Sequence, residues 1–349
     1  MGKARLQVAA AIVAMGILVV PAAASAAAAP ADRAASVTGV DSLDGVTCPT
    51  AKTCVSVGLD DDLNGKSAVI NAATSAVKVW SGDLPADAMN AIACPGTTSC
   101  LAVADDAVAS VQVSTGAMKV TATPKKPANG IVALGAIACA GTTTCYAAGF
   151  EGTEAASTAI VVRLSPAGKL LGTDKNTGTG IGAITCPSSS LCLMGEHFTS
   201  GESVQLLNNG KFGTAHAMPA STYIQAMSCY KASLCYALGG NSTSSPAATN
   251  ELFPLNPKTG AIGSMATISG FSGTDISCIN ASTCLISGFT GSGATAKAAV
   301  VTVVKGKPGT PVTYPGSSLS FHSLACASTS ACYAVGSSSS GAIVDKITS

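Results

Sequence analysis

All fourteen cysteines of this chain belong to one repeated pattern, in which two cysteines flank five other residues. The first cysteines of successive pairs lie 43 to 49 residues apart, a spacing typical of propeller blades or solenoid units. The chain therefore consists of seven structural repeats. The pairs are Cys48 and Cys54, Cys94 and Cys100, Cys139 and Cys145, Cys186 and Cys192, Cys229 and Cys235, Cys278 and Cys284, and Cys326 and Cys332.

The first residues have the features of a secretory signal peptide. Lys3 and Arg5 precede an apolar stretch at 6–20, and small residues follow as far as Ala26. About fifteen apolar residues are too few to span a bilayer comfortably, so we expect cleavage near residue 26 and no membrane span in the mature protein. The mature chain is then secreted into the extracellular medium or associated with the cell wall.

Export determines how the cysteines are interpreted. In an oxidising compartment, an even number of regularly paired cysteines predicts disulfides, here one per repeat. Zinc thiolate sites are the alternative interpretation. Zinc-binding cysteines usually stand closer together and are often joined by histidines. The chain has only three histidines, His197, His216 and His322, and we interpret the last two as ordinary connector residues.

Each repeat has the pattern of four short strands. A large apolar residue stands two positions before every first cysteine with a small residue between them, and a second apolar segment, usually closed by glycine, follows the second cysteine. These two segments predict a hairpin that the disulfide joins. A third apolar segment and a glycine-containing turn into a less regular fourth strand come next. Seven four-stranded antiparallel units predict an all-β, seven-bladed propeller.

The two ends of the chain predict that the propeller closes into a ring. After Cys332 only two strand-like segments remain, so the last repeat lacks its fourth strand. The segment Ser36–Val40 is a spare strand before the first repeat and is predicted to complete the last blade. A linear solenoid would need capping repeats, and none is visible. The predicted organisation is a signal peptide at 1–26, a flexible segment at 27–35 and a propeller at 36–349.

The pattern CPxxxxCxAVG preceded by an apolar strand resembles repeats of secreted propeller proteins of the actinobacterial type, from high-GC Gram-positive bacteria. These are loosely related to sialidase-like and photosystem-assembly-factor-like propellers. The resemblance covers essentially the whole mature chain and implies fold and export, but its motif carries no catalytic residues. Sialidase-like sites hold their substrate with three arginines, whereas the mature chain has only Arg33 and Arg163.

Charge is unevenly distributed in the predicted ring. Without Lys3 and Arg5 the mature chain has 17 basic and 18 acidic residues, which argues against nucleic acid as a partner. In an antiparallel meander, the loops after the second strands and the connections between blades share one rim. We call it the acidic rim; it also holds Asp60 and Asp62, and its candidate binding residues are Asp61, Asp105, Asp106, Glu151, Glu154, Glu196, His197 and Glu202.

The acidic rim includes one candidate metal site. The segment DDDLNG matches the first half of a calcium loop, with Asp60, Asp62 and Asn64 as oxygen ligands. The second half departs from the pattern because Asn71 stands where a bidentate glutamate belongs. Calcium is therefore the one candidate cofactor, and a solvated acidic turn is the alternative.

Two functions remain open. The first is a non-catalytic binding or scaffold module, a monomer whose acidic rim and channel mouth bind a protein or glycan of the cell envelope. The alternative is a hydrolase acting on carbohydrate, in which Glu196 faces Asp62 or Asp106. The second strand of the fourth repeat is interpreted as one residue short, which predicts that Glu196 and His197 lie in a loop.

Overall fold

The computed structural model describes residues 35–347, apart from 81, 83, 85–87, 129, 154, 155, 242–248 and 316–318. The predicted signal peptide, most of the segment at 27–35, and Glu154 lie outside the described residues. Within the described part, the chain forms seven antiparallel sheets arranged as the blades of a propeller, which confirms the predicted fold class.

Each blade takes its strands in chain order. Blade one has β2 (Ser42–Thr50), β3 (Thr53–Leu59), β4 (Gly65–Asn71) and β5 (Val77–Val79), and blade two has β6 (Ala91–Ala93), β7 (Ser99–Val103), β8 (Val108–Gln112) and β9 (Met118–Ala122). Blade three has β10 (Ile131–Ala140), β11 (Thr144–Thr153), β12 (Ala156–Leu164) and β13 (Leu170–Lys175), and blade four has β14 (Gly180–Thr185), β15 (Leu191–Phe198), β16 (Gly201–Asn208) and β17 (Lys211–Ala217). Blade five has β18 (Thr222–Tyr230), β19 (Leu234–Asn241), β20 (Thr249–Leu255) and β21 (Ala266–Ser269).

The last two blades are less regular. Blade six has β22 (Ser272–Cys278), β23 (Thr283–Thr290), β24 (Lys297–Val304), β25 (Lys307–Pro308) and β26 (Val312–Thr313), because its outer strand is split in two, and a short 3₁₀ helix (Gly293–Thr295) precedes β24. Blade seven has β27 (Ser320–Ser328), β28 (Ala331–Ser338), β29 (Gly341–Ile347) and β1 (Ala35–Val37). No helix among the described residues is both long and apolar enough to cross a membrane.

The N-terminal strand closes the ring, as predicted. β1 pairs antiparallel with β29, and Ala35 lies opposite Val344. The strand starts one residue earlier than predicted and ends at Val37, because the chain turns at Thr38 and Gly39 toward blade one. Both ends of the chain therefore stabilise the same blade.

All seven predicted disulfides are present, one in each blade. Each joins the first two strands of its blade at the rim opposite the acidic rim, which we call the cysteine rim. The second cysteine of every pair is no more than 1% exposed. The disulfides are thus part of the apolar packing as well as cross-links of the hairpins.

The apolar core of the described residues consists of clusters between neighbouring blades. One example joins blades seven and one, with Cys54 and Ile70 against Tyr333 and Val335. A tyrosine after the second cysteine recurs in three blades, and all three are at most 6% exposed, which confirms that they are packing residues: Tyr146, Tyr236 and Tyr333. Because apolar burial is distributed around the ring, both rims are left free for other roles.

The glycine that closes most second strands has a steric cause. A Cβ atom at this position would lie 1.9 to 2.0 Å from a carbonyl oxygen of the innermost strand, a separation that no side chain tolerates. The innermost strand bulges toward this glycine in most blades. The five glycines are Gly58, Gly149, Gly239, Gly288 and Gly336.

Candidate functional site at the channel mouth

The innermost strands of all seven blades line a central channel with a volume of about 260 Å³. One repeat position, at the strand bulge, faces this channel in every blade and lies in the half of the strand nearer the acidic rim. We call these seven residues the mouth ring: Asp44, Asn90, Gly135, Gly182, Gln225, Thr274 and His322. Five are polar, whereas blades three and four have glycine. The residue type of the mouth ring therefore differs from blade to blade, although the strands around it repeat.

Neither His216, which lies in β17, nor His322 is a connector residue, contrary to the sequence interpretation. His322 lies in β27 and bonds across the junction of blades seven and one, with its Nδ1 2.8 Å from Asp44 Oδ1. The Oγ of Ser337 lies 3.2 Å from His322 Nε2, and Ser42 donates to Asp44 over 2.6 Å. This Ser–His–Asp order is that of a hydrolase triad, but Ser337 is not one of the residues lining the channel. The contacts join the two blades where the ring closes.

Asp275 is a second carboxylate of the channel wall, and protein donors occupy both of its oxygens. The backbone N–H of Ile276 donates to Oδ1 over 2.8 Å, while Leu324 N–H and the Ser323 hydroxyl donate to Oδ2 over 2.9 and 2.8 Å. Burial raises the pKa of this carboxyl even though these donors favour the charged form. Asp275 therefore connects blades six and seven.

Ion pairs neutralise much of the acidic rim internally. Lysines of the same rim bond three of its carboxylates: Lys66 with Asp60, Lys126 with Asp106, and Lys175 with Glu151. A fourth pair joins His197 and Glu202. Such pairs reduce the long-range field of the rim.

The remaining rim carboxylates form two groups. Asp61 and Asp62, together with Asp41 from the connection between β1 and β2, form no ion pair with another described residue, and they border a depression of about 600 Å³ over the junction of blades seven and one. Asp105 lies apart on blade two and accepts a hydrogen bond from the Asn90 side chain. The structure thus separates the candidate binding residues into paired and unpaired ones.

The candidate calcium loop is organised around a lysine. Asp60 accepts hydrogen bonds from the N–H groups of Asp62 and Asn64 and lies 3.1 Å from Lys66 Nζ. Partial loss of water opposes ionisation, but the donors from Asn64 and Lys66 hold the Asp60 pKa below its ordinary value. A calcium ion would have to displace Lys66, so calcium at this loop stays a prediction. Among the described residues no cluster of three or more His, Cys, Asp or Glu is arranged to hold a metal ion.

Glu196 and His197 lie in strand β15, not in a loop. The fourth repeat lacks no residue. Instead Glu196 occupies the position of the closing glycine, four residues after the second cysteine. Its side chain is completely buried and accepts hydrogen bonds from Asn176 Nδ2, 2.9 Å from each oxygen. Burial raises its pKa. Glu196 is therefore enclosed within blade four, and the structure does not bring it together with Asp62 or Asp106.

His197 points toward the mouth ring from blade four. Its Nδ1 bonds Glu202, whose other oxygen accepts the Ile224 N–H over 3.4 Å. The bond to Glu202 raises the His197 pKa. A Cβ atom on Gly182 would lie 3.1 Å from His197 Nε2, so this nitrogen faces the open ring position.

A second cavity, of about 270 Å³, adjoins the channel at blades two to four. We call it the side pocket. Gly135 and Gly182 of the mouth ring lie between it and the channel. Sequence reasoning missed Asn90 and Phe150, and the one signal was the pair of glycines at a position that is polar in the other blades. The main side chains that line the side pocket are Asn90, Asp105, Leu134, Phe150, Ile181 and His197.

No protein family model matches this chain, and no curated protein does. Many solved structures share its fold. A chain of the crystal structure of the mitotic checkpoint complex has a TM-score of 0.63 at 11% identity, over 90% of this chain and 93% of that one. The structure of U3-55K has a TM-score of 0.66 at 8% identity, over 90% and 98%, and the WD40 repeats of RRP9 have 0.66 at 9% identity, over 91% and 99%. At these identities the likeness shows the fold alone. The protein is a seven-bladed β-propeller with one disulfide per blade; the bacterial group and the wider relationships implied by the repeat stay predictions.

Proposed function

We propose that this chain is a secreted, non-catalytic binding or scaffold module that acts in the cell envelope or the surrounding medium. Seven disulfides are typical of proteins that work in an oxidising, extracellular environment. The same fold occurs in a chain of the crystal structure of the mitotic checkpoint complex, so a propeller of this shape is found within a protein assembly.

The proposed working surface is the face formed by the acidic rim, the mouth ring and the side pocket. The observation that carries this proposal is the mouth ring, whose residue type changes from blade to blade although the backbone repeats. Concave sites with a few placed polar groups are where proteins bind small groups and partner side chains. The ligand is a protein or a glycan of the envelope.

A carbohydrate hydrolase is the less favoured function. Such an enzyme needs two carboxyl groups that face a common substrate. Asp44 is bonded to His322, Asp275 is bonded to backbone N–H groups, and Glu196 is buried under Asn176. These carboxylates contribute to the structure of the blades, which supports binding over hydrolysis.

Charge reversal on the two faces tests the proposed surface. The double variant Asp61→Arg, Asp105→Arg changes two exposed carboxylates of the acidic rim, and Lys52→Glu, Lys258→Glu changes two exposed lysines of the cysteine rim. The immobilised mature protein is incubated with envelope and medium fractions of the source cells. We expect the first variant to capture each specific ligand at least tenfold less than the unchanged protein does. The second variant should capture as much as the unchanged protein. Equal retention by both variants would show that the surface is wrongly placed.

A further inference from the structure

The side pocket combines apolar walls with two fixed polar groups. Leu134 and Ile181 are at most 3% exposed, and the half-buried ring of Phe150 lies beside them. Backbone of Gly149 and Gly180 completes the lining without adding side chains. A small apolar group with a C–H surface therefore fits against these walls.

One polar group of the pocket is an acceptor held in place by an amide. Asn90 Nδ2 donates to Asp105 Oδ1 over 3.1 Å and to the carbonyl of Leu134 over 3.0 Å. These bonds use both amide hydrogens and fix the carboxylate relative to blade three. Asp105 Oδ2 accepts no hydrogen bond from another described residue, so it is available to a ligand donor.

The other polar group is a donor. Glu202 holds Nδ1 of His197, which directs Nε2 toward Gly182 and the pocket. When the ring is protonated, both of its nitrogens carry a hydrogen and Nε2 can donate; the bond to Glu202 raises the His197 pKa, so the ring stays protonated to a higher pH than a free imidazole. Glu202 compensates the charge of the ring, so the pair adds little net charge to the pocket.

The opening between pocket and channel does not depend on the packing of the fold. A Cβ atom on Gly135 would meet no heavy atom within 4 Å, and its φ lies outside the left-handed region that favours glycine. A side chain would therefore be accommodated there, as at the equivalent positions of five other blades. Because Gly135 has no side chain, the pocket is continuous with the channel at this position.

We propose that the side pocket binds the acetamido group of a neutral N-acetylated amino sugar, an assignment that rests on the binding function proposed above. The methyl group packs against Phe150 and the apolar walls, the amide N–H donates to Asp105, and the carbonyl accepts from His197. The polar residues of the mouth ring receive the sugar hydroxyls. An anion would meet Asp105, and a cation would leave the His197 N–H without an acceptor, so a neutral group with one donor and one acceptor fits best.

The first experiment compares three ligands that differ at one position. The intact mature protein, with its disulfides formed, is titrated with the methyl β-glycosides of N-acetylglucosamine, glucose and glucosamine and followed by NMR. We expect the N-acetylated glycoside to bind at least tenfold more tightly than the other two, since only it carries the acetamido group. Tighter binding of the glucosamine glycoside would overturn the proposal, because it would show a site for cations.

The second experiment closes the opening with matched variants. Gly135→Gln places in blade three the residue type that blade five has at Gln225, and should reduce binding of the N-acetylated glycoside at least tenfold. Gly96→Gln is the control, since a Cβ atom on this exposed glycine of a cysteine loop also meets nothing within 4 Å. Unchanged thermal unfolding of both variants verifies their fold. Equal binding by the two variants would overturn the proposal.

The two proposals fail in different ways. If no N-acetylated glycoside binds while Asp61→Arg, Asp105→Arg still loses its envelope ligand, the sugar assignment is wrong and the binding surface stands. If the glycoside binds but that double variant loses nothing from the envelope fractions, the pocket is real and the wider surface is wrongly placed.

Discussion

The two rims of this propeller contrast in how closely they follow the repeat. At the cysteine rim the same disulfide hairpin occurs seven times, and its second cysteine is no more than 1% exposed in every blade. At the acidic rim the corresponding positions change from blade to blade, and the mouth ring contains acidic, amide, hydroxyl, imidazole and glycine residues. The contrast indicates that the repeated residues maintain the fold; under the proposed function, the variable residues of the mouth ring form the binding surface.

The largest effect expected from this contrast is the loss of the disulfides. In the chain-entropy model a loop this short contributes about 2 kcal/mol per bond. Seven such contributions together are as large as the whole stability of an ordinary domain. We therefore expect the fully reduced mature protein to unfold at ambient temperature, measured by circular dichroism during reduction.

Single-pair variants sharpen this prediction. Replacing Cys139 and Cys145 with alanine should reduce the free energy of unfolding by about 2 kcal/mol plus the loss of apolar contacts. The same change at Cys229 and Cys235 should have a similar effect, since both pairs occupy one repeat position. Denaturant unfolding of the oxidised variants measures both. If the reduced protein kept its unfolding midpoint, the disulfides would not stabilise the fold. If one pair accounted for most of the lost free energy of unfolding, the seven hairpins would not be equivalent.

The second prediction separates two carboxylates of the functional face. Asp275→Ala leaves the N–H groups of Ile276 and Leu324 without their acceptor, which should cost about 3 kcal/mol. Asp105→Ala removes an exposed side chain and should change stability by less than about 0.5 kcal/mol. Denaturant unfolding measures both variants. Equal losses would mean that Asp105 is as much a structural residue as Asp275.

The repeat explains why the sequence predicts so much of this fold. Local patterns reveal the paired cysteines, the alternating apolar residues of the strands and the spare strand near Ser36. Seven repeats of this kind together predict a closed ring. Even the closing glycines have a local cause, the approach of a backbone carbonyl. Glu196 shows the limit: it stands in the glycine position of blade four, and the sequence suggested a shortened strand where the structure has a buried side chain.

The candidate site depends on distances that no local pattern contains. Asn90 and Phe150 belong to different blades, and only the curvature of the ring brings them to one pocket. The direction of His322 depends on a strand bulge, which changes the face that the side chain occupies. Sequence reasoning therefore predicted a working surface at the rim and the channel mouth, but neither the residues of the mouth ring nor the pocket beside it.

The third prediction compares two residues of the mouth ring. His322→Ala removes the contacts with Asp44 and Ser337 at the junction of blades seven and one, and should lower the free energy of unfolding by about 1 kcal/mol. Gln225→Ala truncates an exposed side chain at the same repeat position and should have almost no effect. Thermal and denaturant unfolding measure both. Equal effects would show that His322 does not contribute to ring closure.

The smallest effect is a pH dependence at His197. Its pKa in the folded protein is raised above 6.5 because Glu202 accepts its hydrogen bond. The resulting stability is fully present below the unfolded-state pKa of about 6.5 and is lost as the pH rises through the folded value. His197→Gln should therefore lower the unfolding temperature more at about pH 5.5 than at about pH 9. The difference should be only about 1 °C, because the side chain is partly exposed to solvent.

A matched histidine determines whether this pH dependence belongs to the pair with Glu202. His216 Nε2 donates to the carbonyl of Thr259 over 2.8 Å and bonds no carboxylate of another described residue, so His216→Gln should show no comparable trend. Glu196, the other acidic neighbour of His197, contributes to the raised His197 pKa with the same sign but less than the bond to Glu202. A destabilisation by His197→Gln that is constant or grows with pH would mean that Glu202 does not hold His197 protonated. The donor assigned to the side pocket would then lose its physical basis, and the pocket would be an acceptor site defined by Asp105.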